Sequence, residues 1–399
     1  MRASVRLMSL RAEVYLCGVG QSKKFARRRD NLFGGLRNVV RMRGMRKLVV
    51  ISIVLAFARC ASTQTAVWTV QTSGISTNLR GISVVRTGGS TSEPVIWTSG
   101  SNGVVLRSDD RGNNWKRLHV EGGETLDFRG IRGIDGKTAY VMSSGEGDKS
   151  RIYKTVDGGE TWEMQYTDKR PAFFLDDIVC FSEGYCFALG DPIDGKFLVL
   201  ATEDGKHWRE MPRDNMPEII PGEGAFAASG SSLVIYRVHD IYFGTGGGAT
   251  ARVFRSLTRG ESWSVADTPL AAGNASSGVF SLVRVNDNVI AVGGDYRVAG
   301  GTSRVAAYST DSGSTWKLSS AQPGGYRSAV ASVGGTTLLS VGPNGEDISL
   351  DLGVTWIHSD AINLNAVAVL DENTAWAVGA RGTIAIAHIK KSEAQKIEY

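Results

Sequence analysis

Seven short phrases each open a β-rich run in this chain: Leu79-Arg80, Phe128-Arg129, Leu175-Asp176, Ala225-Phe226, Val279-Phe280, Tyr326-Arg327 and Leu364-Asn365. Their second residues are the ones able to do chemistry together. Arg80, Arg129 and Arg327 offer planar guanidinium forks that can grip a carboxylate or phosphate through two parallel hydrogen bonds. Asp176 and Asn365 add an acid and an amide, and Phe226 and Phe280 add apolar faces. Gathered at one place, they make a cationic arc opposite an aromatic one. That arrangement suits an anionic ligand, such as a peptide carboxylate or an acidic loop of a partner. The alternative is that the arginines bond backbone carbonyls and water and simply fill space.

A second set of carboxylates recurs in boxes of Ser or Thr, Asp, Gly and Trp. These run Ser108–Trp115, Thr155–Trp162, Thr202–Trp208, Ser256–Trp263, Ser309–Trp316 and Ser349–Trp356. The third box is one residue short, and Thr258 stands in the fourth where Asp is expected. In isolation Asp110, Asp157, Asp204, Asp311 and Asp351 could be acids or metal ligands. Each instead has a folding task, with its carboxylate accepting backbone N–H bonds across a tight turn in which Gly supplies positive φ. The hydroxyl adds a local bond, and Trp115, Trp162, Trp208, Trp263, Trp316 and Trp356 become large apolar plugs. Carboxylates in five separate units cannot converge on one substrate.

What must position the seven phrases is therefore a repeat. From Trp68 the Trp-to-Trp spacings are 47, 47, 46, 55, 53 and 40 residues. One unit reads as four short strands: 79–85, 94–99, 103–108 and 115–120, parted by Gly, Asn and Asp. After Trp356 only three strands remain, 364–370, 374–378 and 383–388. The missing fourth is Ala66–Gln71, with Trp68 at the box-Trp position. Six whole units and one split unit predict an all-β, seven-bladed propeller whose ring is closed by the N-terminal strand. Strand starts then lie round one channel mouth, in the order Arg327, Asn365, Arg80, Arg129, Asp176, with Phe226 and Phe280 completing the circle.

The chain has 399 residues and a pI near 9.0, but the basic charge is local. Residues 1–47 carry 10 Arg and 3 Lys against Glu13 and Asp30, a net +11, which leaves −6 for the rest. A mildly acidic body is not built to neutralise phosphates, so no nucleic-acid partner is expected. Met45–Ala58, a short cationic start followed by an apolar run, has the pattern of a secretory signal. The expected layout is an upstream extension at 1–44, a signal at 45–62, the propeller at 63–389 and a charged tail at 390–399. The mature protein is then periplasmic or secreted, with an uncleaved N-terminal anchor as the alternative. Arg59 before Cys60 argues against lipidation there. Cys180 and Cys186 flank a Ser-Glu-Gly turn and face each other on paired strands, either as a disulfide in an exported protein or as two reduced core thiols. No second Cys or His pair has ligand spacing, so neither metal nor cofactor is expected.

Ser/Thr-x-Asp-x-Gly-x-Thr-Trp, complete at Thr155–Trp162, Ser309–Trp316 and Ser349–Trp356, is the Asp-box or BNR repeat. It occurs in sialidases, sortilin-type receptors and photosystem II stability/assembly factors. Residues 66–389 resemble the assembly factors best, with short, near-even blades and phrases such as Asn373–Gly379 and Leu79–Ile82. That resemblance implies a non-catalytic scaffold with an arginine patch on one propeller face. It also implies a protein or peptide segment as partner, drawn from an envelope or membrane complex, and an expected monomer. An anionic or glycan ligand fits the same arc. The alternative is a sialidase-like or other glycoside hydrolase. Sialidases also use three arginines, but the nearest match to their Arg-Ile-Pro signature, Phe128-Arg129-Gly130-Ile131, lacks the proline. In that reading Tyr326 pairs with Glu223 or Glu124, and Asp127 or Asp176 is the acid. Three glycine-rich phrases, 221–225, 243–249 and 292–296, read as longer connections on the aromatic side. Gly244-Thr-Gly-Gly-Gly lacks the Lys and helix of a phosphate loop.

Overall fold

In the computed structural model, residues 64–391 are described apart from 87, 89–91 and 360–361. The expected extension, signal and residues 392–399 of the tail lie outside them. Each repeat forms a four-stranded antiparallel meander, giving seven sheets. Blade 1 runs from Leu79–Arg86 through Pro94–Gly100 and Val104–Ser108 to Lys116–Leu118. Blades 2 to 6 follow in chain order, with first strands Phe128–Gly133, Leu175–Ser182, Leu233–Tyr236, Ser277–Val285 and Ala329–Gly334. First strands of successive blades touch one another all the way round, so they line the axis.

Blade 7 joins Ala366–Asp371, Thr374–Val378 and Ile384–Lys391 to the N-terminal strand Gln64–Gln71 at its outer edge. Trp68 pairs opposite Ala387. The closing pair extends to Lys391, slightly beyond the end expected for the propeller. Closure within one sheet removes two free edges.

The boxes are built from hydrogen bonds that stay within each turn. Ser108 Oγ donates to Asp110 Oδ1 (2.8 Å) and accepts from the Gly112 amide (2.8 Å), while Asp110 Oδ1 accepts from the Asn114 amide (2.9 Å). The pattern repeats at Asp157, Asp311 and Asp351 through the amide and hydroxyl of Thr161, Thr315 and Thr355. In the short box Asp204 accepts from the Lys206 and His207 amides. Hydrogen bonds from Thr161 and Thr315 hold the Asp157 and Asp311 carboxyls down at about 2. Arg111 and Gly112 both have positive φ (62° and 82°), a turn that an L-residue pair rarely makes without such bonds.

Every box Trp enters the seam with the preceding blade. Trp115 joins the apolar cluster between blades 1 and 7, Trp162 that between 2 and 1, and Trp208 that between 3 and 2. Trp263, Trp316 and Trp356 do the same in the next three seams, and Trp68 in the last. Trp208, Trp263 and Trp356 are buried, whereas Trp316 is only partly so.

Thr258 substitutes for the absent carboxylate by accepting the Ser262 amide (2.9 Å) at its hydroxyl. A carboxylate there would make the stronger charge-assisted bond. Thr258→Asp is therefore expected to stabilise by about 0.5–1 kcal/mol, read as a melting point raised by roughly 1–3 °C. A lower melting point would show that the fourth turn has adapted to the hydroxyl.

Cys180 and Cys186 are direct cross-strand partners in the first hairpin of blade 3 and form a disulfide.

Candidate channel-mouth site

The first strands do not run straight into the mouth. At the mouth end of four blades the pairing of first and second strands skips one residue. It passes from Leu79↔Gly100 to Gly81↔Ser99, from Phe128↔Ser143 to Gly130↔Met142, from Leu175↔Gly190 to Asp177↔Leu189, and from Val279↔Gly293 to Ser281↔Val292. The skipped residues are Arg80, Arg129, Asp176 and Phe280. A bulge of this kind bends the strand and re-aims one side chain out of the ladder. Here all four line one cavity of about 530 Å³ at the channel mouth, together with Phe226 and Asn365.

Phe226 reaches the cavity by a different route. Blade 4 begins its first strand at Leu233, so Phe226 belongs to the preceding loop and not to a strand start. The glycine-rich phrases explain how that loop lies flat. Gly224 bridges to Gly246, and Gly246 to Gly278. A Cβ on Gly246 would come within 2.3 Å of the Ser277 carbonyl and 2.6 Å of the Phe226 ring. Only glycine lets backbone and ring approach so closely. Phe226 then stacks on Phe280 with centroids 3.9 Å apart, and Tyr326 meets Phe280 edge-on at 4.8 Å. The loop is anchored by buried Glu223, which accepts from Arg252 Nε (2.8 Å) and Nη2, from Thr245 Oγ1 (2.6 Å) and from the Ile220 amide (3.0 Å).

The three arginines differ in what they can still bind. Arg80 makes no hydrogen bond or ion pair among the described residues, and its Nε is buried without a partner. Burial first, and then the neighbouring Arg129 cation, pull its pKa below the ordinary value, yet a guanidinium remains charged. Arg129 is half committed: Nε donates to Asp127 Oδ2 (2.7 Å) and Nη1 to the Ala227 carbonyl (2.8 Å). Arg327 is not at the mouth at all. Its side chain is fully buried, donating to Asp347 Oδ2, Asn344 Oδ1 (2.7 Å), the Tyr326 carbonyl (2.9 Å) and His358 Nδ1 (3.1 Å). Asp347, inside blade 6, needs a buried cation, and Tyr326 with Ser328 takes the cavity position instead. Asn365 is partly spent too, donating from Nδ2 to the Leu79 carbonyl (2.8 Å).

Sequence reasoning missed Asp191 and Tyr296 as lining residues, and placed Tyr326 at the site only in the sialidase-like reading. Asp191 had a signal in Gly190-Asp-Pro192, a break inside a strand. Tyr296 closes the 292–296 glycine phrase and gave no other sign. The sialidase-like constellation is not assembled. Glu223 is consumed by Arg252. Glu124 lines a different cavity and pairs with His119 (3.4 Å), and Asp127 is bonded to Arg129 and to Ser101 Oγ (2.8 Å). Burial raises the pKa of the Tyr326 hydroxyl, the opposite of what a nucleophile needs.

No family model matches the chain. In sequence it is 24% identical over 310 residues to the photosystem II assembly protein Ycf48 of Synechococcus sp. (strain JA-2-3B'a(2-13)), covering 68% of this chain and 84% of that one. A 75-residue stretch is 35% identical to the photosystem II assembly lipoprotein Ycf48 of Synechococcus sp. (strain CC9902), covering 18% of this chain and 20% of that protein. In structure it resembles YCF48 bound to a D1 peptide (TM-score 0.56, 13% identity, 81% of this chain and 97% of that one). It also resembles YCF48 from Cyanidioschyzon merolae (TM-score 0.57, 15% identity, 81% and 99%). A GH74 xyloglucanase from Xanthomonas campestris shares the fold (TM-score 0.56, 15% identity, 80% and 53%). The chain is thus homologous to Ycf48, and the resemblance drawn from its Asp-boxes holds.

Proposed function

We propose that this Ycf48 homologue is a non-catalytic assembly scaffold, exported through residues 45–62, that seats a segment of a partner protein in the channel mouth. An anionic group of that segment sits on Arg80 and the free edge of Arg129, and an apolar group lies against Phe226 and Phe280. The observation that carries this reading is Arg80. A half-buried cation without an intramolecular partner, beside a stacked aromatic wall, costs solvation in the free protein and recovers it only when an anion binds. The solved complex of YCF48 with a D1 peptide supports a peptide as the ligand class.

The D1 peptide is accordingly the first probe, followed by fluorescence anisotropy against a copy with neutralised carboxylates. Arg80→Ala is expected to weaken binding roughly tenfold to a hundredfold, as for loss of a hydrogen bond to a charged group. Its melting point should stay near wild type, because the Arg80 side chain bonds nothing among the described residues. Equal affinity of Arg80→Ala and wild type would reduce the arginine to channel lining. Release of product from a fluorogenic glycoside, abolished by Tyr326→Phe, would overturn the non-catalytic reading.

A further inference from the structure

Two adjacent aspartates of blade 3 meet opposite fates. Asp177 is fully buried and fully used: its carboxylate accepts the amides of Ile178 (2.7 Å) and Leu233 (2.8 Å) and the Ser232 hydroxyl (3.3 Å), with Arg132 at 3.7 Å. Asp176 is 1% exposed, lines the mouth cavity and makes no side-chain hydrogen bond among the described residues, with Oδ2 sealed from solvent. A buried carboxyl without a donor is among the costliest arrangements in a fold. Beside it, Asp191 lines the same cavity and, among the described residues, accepts only the Ala225 amide (3.0 Å).

Both acids are delivered by backbone irregularities. Asp176 is skipped in the pairing of the first two strands. Asp191 is skipped where the second strand's pairing with the third passes from Gly190↔Leu198 to Pro192↔Phe197. Among the described residues no other blade carries a slip between its second and third strands. Blade 3 thus bends two neighbouring strands to put two carboxyls side by side at the ligand cavity.

We propose that Asp176 and Asp191 form a cation subsite, which takes a primary ammonium or guanidinium carried by the same bound segment whose anionic group sits on Arg80. This rests on the peptide-seating function proposed above and adds the charge pattern of the ligand: an acidic and a basic group flanking an apolar one. Arg129, the nearest cation, is already held by Asp127 and Ala227 and makes no ion pair with either carboxyl among the described residues. The groups facing Asp176 are Asp191 and Asp177, which raise its pKa, and Arg129, which lowers it. Burial is the largest influence and, with the two acids, outweighs Arg129 and holds the carboxyl well above its usual range. Burial raises Asp191 as well. An incoming cation therefore displaces a proton, and capture strengthens as pH rises.

The test uses three dipeptides titrated into the protein by NMR: acetyl-Phe-Lys acid, its amide, and acetyl-Phe-norleucine acid. Wild type should prefer the lysyl over the norleucyl acid by about tenfold, with the ratio growing between pH 5 and 8. Asp176→Asn should bring that ratio towards one. Arg80→Ala should instead collapse the preference for acid over amide, so the two subsites fail separately. Asp191→Asn gives an independent reading should Asp176→Asn not fold. The proposal is overturned by equal binding of lysyl and norleucyl acids to wild type, by a lysyl preference that survives either Asp substitution, or by a preference that is flat or falls as pH rises.

Discussion

Trp356→Ala will destabilise the ring by about 3–5 kcal/mol, the cost of truncating a buried aromatic. Trp356 is 5% exposed and fills the seam between blades 5 and 6 against Ile290, Val292, Ala306, Val330 and Leu338. Those neighbours lie on two separate sheets, so neither can collapse into the void without breaking its own ladder. Equilibrium denaturation should show a lower midpoint with an unchanged slope. Trp316→Ala, at a partly buried plug, should cost less, so the two variants rank the seams. A loss under about 1 kcal/mol at Trp356 would show that the seams are held by something other than the box Trp.

Deleting Gln64–Gln71 should be the most damaging change of all. The strand pairs along its whole length with Ile384–Lys391 and carries Trp68, which packs against Val333, Leu339, Ile348, Ala375 and Ala387. Its loss removes one aromatic plug and leaves a long exposed edge ready to pair with another chain. At about 3–5 kcal/mol for the plug and roughly 2–4 °C for each kcal/mol, the melting point should fall by about 10 °C or more. Light scattering should show concentration-dependent association, and a synthetic peptide of residues 64–71 should reverse both effects. A truncated protein that melts like the full chain and stays monodisperse would mean that ring closure contributes little.

The boxes and the Trp spacing made the fold legible because each box is a local object. Ser108, Asp110, Gly112 and Asn114 bond to one another within seven residues, so their geometry does not depend on the rest of the ring. The split blade was legible for a similar reason, since three strands without a fourth leave an edge that only the other terminus can cover. The site was legible in part. Arg80, Arg129, Asp176, Phe280 and Asn365 follow from counting strand starts, and all line the mouth.

Arg327 and Asp191 show where such counting stops. Arg80 and Arg327 occupy equivalent places in their phrases, yet one faces the cavity unbonded and the other is buried on Asp347. The difference arises from a skipped residue in one ladder and a buried acid 20 residues away in sequence but adjacent in space. Phe226 reached the aromatic wall by a loop whose path depends on Gly224, Gly246 and Gly278 meeting across two blades. Sequence alone determined the number of blades, the closure and the seam plugs, because these rest on short-range bonds and a repeated period. Tertiary structure decided which charges remain free at the mouth, because a one-residue change in register sends a side chain to the other face of its sheet.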